Sequence, residues 1–94
     1  MLPERDHTIA TRTMNQLIQN YKDSHEATVE NPMLHKFHAD QVKKLVSTPD
    51  CSQLVVAKGL TTEGVEVVIL QGLDSKGTLL GALEYAFPCP PNCG

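Results

Sequence analysis

From Thr8 onward, Ala10, Met14, Leu17, Ile18 and Tyr21 recur at helical spacing, and Arg12, Asn15, Gln16, Gln19, Lys22 and Asp23 fall on the opposite side. This spacing predicts an amphipathic helix with one apolar stripe, capped by Asp6 or Thr8 and frayed from Ser24. Asn31-Pro32 sets its outer limit, because a residue before proline avoids the helical region. A second helix is announced by Phe37 and Val42, placed as a hydrophobic staple around His38-Ala39-Asp40-Gln41. His38 then stands at the N-cap with Gln41 three residues on; Val42, Leu45 and Val46 form the stripe, and Pro49 blocks continuation.

After Pro49-Asp50 the period changes. Leu54-Val55-Val56-Ala57 and Val65-Glu66-Val67-Val68-Ile69-Leu70 are rich in β-branched residues and separated by a Gly-containing loop, which predicts a hairpin. Asp74-Ser75-Lys76-Gly77 has the residue order of a type I turn and sends Thr78-Leu79-Leu80 back beside the second strand. Val67 to Leu70 are apolar consecutively, so both faces of the middle strand call for cover. Two short helices account for one face; the other is left to the chain's last segment or to a second copy, a homodimer. Leu79 to Phe87 mixes helix formers with Gly81 and reads as extended or irregular.

The expected fold is therefore α+β: two N-terminal helices, a three-stranded antiparallel β-meander and an irregular Pro-rich C-terminal tail. All 94 residues form one domain, with a flexible start at 1–7, a helical part at 8–48, the meander at 51–82 and the tail at 83–94. With only two Tyr, two Phe and no Trp, the core is expected to be aliphatic.

The net charge of −3 comes without any run of Lys or Arg, which argues against nucleic acid and anionic membranes as partners. Met1 to His7 lacks the basic-then-apolar order of a signal peptide and no stretch is long enough to span a membrane, so the expected compartment is the cytoplasm.

Cys89-Pro90-Pro91-Asn92-Cys93 is the most unusual local feature. Extended as polyproline II, such a segment spans about 12 Å and cannot close a disulfide, so pairing Cys89 with Cys93 requires a turn, for which Pro91-Asn92 suits the centre. Three chemistries are open to it. A thiol redox pair lacks the usual cation, since no Lys, Arg or His follows Lys76. A zinc site would gather Cys89, Cys93, Cys51 and His38 (or His35), the right ligand types without a second close pair. A stiff segment offered to a protein partner would use Phe87, Pro90, Pro91 and Asn92. Otherwise the cysteines are small hydrophobes in a packed tail, as expected for Cys51 at a strand entry. A Cys51–His38 dyad has no oxyanion-hole or general-base motif beside it, and His7 and His25 read as exposed positions on or near the first helix.

No Gly-x-Ser-x-Gly, His-Glu-x-x-His, P-loop, Gly-x-Gly-x-x-Gly or Cys-x-x-Cys occurs, so no catalytic or cofactor-binding residue is assigned and an enzyme is not expected. The leading expectation is a non-enzymatic module for protein interaction or self-association; the rival is a thiol redox or zinc protein acting through Cys89 and Cys93.

Phe37-His38-x-x-x-Val42, Pro49-Asp50-Cys51, the hairpin, Gly72-Leu73-Asp74 and the closing Cys89-Pro90-Pro91-Asn92-Cys93 together resemble a family of small uncharacterised bacterial proteins, over roughly 20–94. The resemblance implies a short helix, a Pro-Gly-Cys turn, a ladder, a Val-Asp-x-x-Gly turn and a Cys-Pro-Pro-x-Cys end. Asp50 stands here for the family's Gly and Leu73 for its Val. An architecture follows from the likeness, but no activity.

Overall fold

A computed structural model describes residues 3–93, so Met1 and Leu2 of the expected flexible start and Gly94 of the expected tail lie outside the described residues. Chain order is α1 (Thr11–Ser24), β1 (Leu34–Lys36), α2 (Ala39–Val46), β2 (Gln53–Leu60), β3 (Glu66–Leu73), β4 (Leu79–Leu83) and β5 (Phe87–Cys89). Among the described residues the strands form two antiparallel sheets, β2-β3-β4 and β1-β5.

The main sheet is built from two similar hairpins. In the first, Thr61 N–H donates to Val65 O (2.9 Å), Gly64 N–H donates to Thr61 O (3.0 Å) and Val65 N–H donates to Thr61 Oγ1 (3.0 Å). In the second, Asp74 N–H donates to Thr78 O (3.0 Å) and Gly77 N–H to Asp74 O (3.1 Å). Gly64 (φ 87°) and Gly77 (φ 86°) occupy the left-handed position that each turn requires, where a Cβ would be strained.

Leu45 of α2 is buried against this sheet. Its Cδ1 lies 3.1 Å from the point a Cβ would occupy on Gly72 and on Gly81. These two glycines face each other across β3 and β4, and the missing side chains let the helix come close. The core centres there: Leu70 and Gly72 are buried with Leu45, and Val67, Val68 and Ile69 are half-buried. After α2 the chain turns at Asp50 (φ 70°), with Cys51 N–H donating to Thr48 O (3.0 Å).

Three expectations are corrected. The tail is not irregular: Phe87, Pro88 and Cys89 form β5 and pair with Lys36, His35 and Leu34. Proline is tolerated in so short a strand because a two-stranded ladder is edge on both sides and a missing N–H leaves little unpaired. The helices are not consecutive, since β1 lies between them. Finally, only α2 buries a residue; α1 buries none. That first helix begins at Thr11 behind Ala10, whose methyl group cannot cap it, while Asp6, the expected cap, accepts from Thr8 N–H (2.9 Å) in a turn ahead of it. It is held by its own neighbours: Gln16 to Asn20 and Gln19 to Asp23 at 2.8 Å each, and Tyr21 stacked on His25 at 4.1 Å.

Candidate functional site

Cys89 and Cys93 are joined as a disulfide with Cα atoms 4.7 Å apart. The turn runs through Pro90 and Pro91, one position earlier than the sequence indicated, and is closed by Asn92 N–H donating to Pro88 O (2.7 Å). Cys89-Pro90 and Pro90-Pro91 are cis. The segment is thus a closed turn rather than a polyproline rod. Cys89 is buried, while Pro91 and Asn92 face solvent. Met33 N–H donates to Cys89 O (2.6 Å), extending the short ladder by one bond.

The proposed zinc ligands are not gathered. Cys51 precedes β2 and packs against the main sheet, with Sγ 3.2 Å from the Cβ position of Gly72 and its S–H donating to Gln53 O (3.7 Å). His38 stands at the start of α2, edge-on to Phe87 with ring centroids 5.6 Å apart, and makes no cap bond. His35 pairs with Pro88 in the small sheet. Among the described residues no group of three or more His, Cys, Asp or Glu side chains comes together to hold a metal.

A cleft of about 320 Å³ lies between the small sheet and the end of β4, lined by Lys36, His38, Gln41, Glu84, Tyr85 and Phe87 among others. Its lining brings an amine, an imidazole, a carboxylate and a phenol to one cleft and includes no serine, threonine or cysteine. The carboxyls held below their usual range are elsewhere, at turns. Asp6 is lowered by the side chain and N–H of Thr8, Glu63 by its own backbone N–H and by the Thr61 and Thr62 hydroxyls, and Asp74 chiefly by Thr78 N–H. These serve turn geometry.

An exposed apolar row lies on β2. Cross-strand partners in an antiparallel sheet point to the same side, so the register Leu54↔Gly72, Val56↔Leu70, Lys58↔Val68, Leu60↔Glu66 puts these eight residues on the face that carries α2. Leu45 of the helix packs over Gly72 and Gly81. Leu54 (44% exposed), Val56 (63%) and Leu60 (68%) are left in water beside it. The same residues carry the open backbone. Thr61 and Val65 form a hydrogen-bonded pair, so by alternation Gly59, Ala57, Val55 and Gln53 bond to β3, and the N–H and C=O groups of Leu60, Lys58, Val56 and Leu54 point away from the sheet. β2 has no strand on that side. The strand itself was legible in the sequence, but Leu54 to Ala57 are all apolar, so neither row could be assigned to water or core.

A second apolar row, Met14, Leu17 and Tyr21 on α1, is also exposed. The accessible surface of the chain is 7480 Å², whereas a monomer of this mass exposes about 5,400 Å². The Cα radius of gyration is 15.0 Å, against about 12 Å for a compact domain of this length.

No family model, curated protein or solved structure matches the chain. Among the described residues no helix is long and apolar enough to cross a membrane.

Proposed function

We propose that this chain is a non-enzymatic interaction module that self-associates as a homodimer through the uncovered part of its main sheet. The carrying observation is the row Leu54, Val56 and Leu60, apolar and exposed on a strand whose outer edge has no partner. The surplus surface, roughly 2,000 Å² above the monomer scaling, includes α1, which buries no residue, and exceeds the roughly 800 Å² per partner of a standard interface. Covering the wet half of each of these three side chains stabilises by roughly 1 kcal/mol apiece, or about 6 kcal/mol for a symmetric pair. Association costs about 4–15 kcal/mol. The apolar row therefore needs help from other contacts.

Sedimentation velocity across a dilution series tests this reading. A dimer that dissociates on dilution, and that Val56→Lys shifts to monomer without loss of circular dichroism, is the expected result. A wild-type chain that sediments as a monomer at every concentration sinks it.

A second reading rests on the closed Cys89–Cys93 pair, which closes the turn that follows β5. The proposed compartment is the cytoplasm, where thiol reductants open such bonds. There the pair acts as a reversible latch: the disulfide takes two electrons and two protons from a dithiol, which becomes a disulfide in turn. Trapping of free thiols in freshly lysed cells tests this; a pair found closed throughout, at all redox poises, removes it.

A further inference from the structure

We infer that the partner of β2 is β2 of a second copy, laid antiparallel across a twofold axis at Ala57, so that two three-stranded sheets become one of six strands. This rests on the self-association reading and specifies its geometry.

Leu54, Val56, Lys58 and Leu60 direct their N–H and C=O groups outward, and the same four side chains form the exposed row. A long, regular, proline-free edge strand with open ladder groups is a template for another strand. Of the copies available to it, a second molecule of this chain offers an identical row, and twofold pairing of identical strands closes on itself rather than growing.

The sequence then selects the register. Only even positions are open, so the axis can fall at Val56, Ala57 or Lys58 if most of the row is to be used. Centred on Ala57, Leu54 lies opposite the partner's Leu60 and Val56 opposite the partner's Lys58, and every outward N–H and C=O of the four residues finds a counterpart. Centred on Lys58, the two ammonium groups face each other, and like charges directly opposite are destabilising. Centred on Val56, Leu60 falls opposite the partner's Ser52, beyond the start of the strand. The Ala57 register alone uses the whole row and separates the lysines. It also supplies backbone bonds beyond the apolar contact, and it sets the two Leu54-Val56-Leu60 rows side by side on the face that carries α2.

Cysteine scanning of the full chain in a Cys51→Ser background tests the register. Ala57→Cys places one thiol directly across the axis from its twin at a non-hydrogen-bonded pair, where Cα atoms are about 4.5 Å apart and a disulfide is reachable. With oxidised glutathione as the two-electron acceptor, Ala57→Cys is expected to convert largely to a covalent dimer. Val56→Cys and Lys58→Cys are expected to remain uncrosslinked when alone and to crosslink when mixed with each other. Val56→Pro, whose lost N–H points outward, should weaken the dimer at least about tenfold while keeping the sheet. Self-crosslinking at position 56 or 58 would place the axis elsewhere and overturn the register. A dimer by sedimentation with no crosslink in any arm would overturn edge pairing while self-association stands; a monomer by sedimentation overturns both.

Discussion

Leu45 sets how closely α2 approaches the sheet, because its Cδ1 lies 3.1 Å from where a Cβ would stand on Gly72. At that position a methyl group would also meet Cys51 Sγ at 3.2 Å and Leu45 Cγ at 3.3 Å. Gly72→Ala is therefore expected to cost about 1–3 kcal/mol by overpacking, read as a lower midpoint in thermal unfolding. Gly81→Ala meets only the mobile end of Leu45 and should cost less. Equal losses at the two sites would contradict this account of the helix–sheet contact.

The two leucines at the centres of the helical stripes differ in what they hold. Leu45→Ala removes a buried side chain and is expected to cost about 2–5 kcal/mol. Leu17 is exposed on α1, so Leu17→Ala should change the stability of the monomer by less than about 0.5 kcal/mol. Denaturant unfolding of both variants in dilute solution checks the contrast.

Asp74 holds the β3–β4 turn by accepting Thr78 N–H (2.8 Å) and Lys76 N–H (2.9 Å) on Oδ1. Thr78 N–H is the chief cause that keeps this carboxyl below the usual aspartate range. Because the folded value is the lower one, the charged form adds stability above the unfolded value, and that increment disappears as pH falls through the folded value. An NMR titration should place the Asp74 midpoint below that of a free aspartate. Asp74→Asn, which keeps the acceptor oxygen but not the charge, should remove this contribution to the acid dependence; Asp74→Ala should loosen the turn at every pH.

Opening the Cys89–Cys93 bond frees a short loop, and the chain-entropy relation puts the loss at about 2 kcal/mol. The effect should be local. Hydrogen exchange after treatment with a dithiol, or in Cys93→Ser, is expected to quicken at Met33 and Asn92, whose N–H groups bond to Cys89 O and Pro88 O. The amides of Thr61 and Asp74, which close the main-sheet hairpins, should keep their rates. Uniform acceleration across both sets would mean that the two sheets open together.

Much of the fold could be read along the chain where neighbours in sequence are neighbours in space. The α+β class, the cap position of His38, the end of α2 ahead of Pro49, the first hairpin and the turn at Gly77 follow from local patterns. β1 did not, because Leu34-His35-Lys36 is too short to display alternation and its partner is far away. β5 was hidden by Pro88, which reads as a breaker unless the strand is known to be an edge. The α1 stripe was visible, but periodicity does not say whether a stripe is covered. The same limit hid the candidate surface: Leu54, Val56 and Leu60 carried a strand signal, and only the register with β3 shows which side of the sheet they occupy.

The pairing of Leu34 with Cys89 has a consequence for the order in which the molecule assembles. β2, β3 and β4 are joined by tight turns, and each hairpin closes a loop of a few residues. β1 and β5 must instead be brought together from more than fifty positions apart, at a loop-closure cost that is not offset until the ladder forms. The meander is thus the natural nucleus, with α2 docking on its glycines. The junction of Leu34 and Cys89 comes last, once the main sheet is already in place.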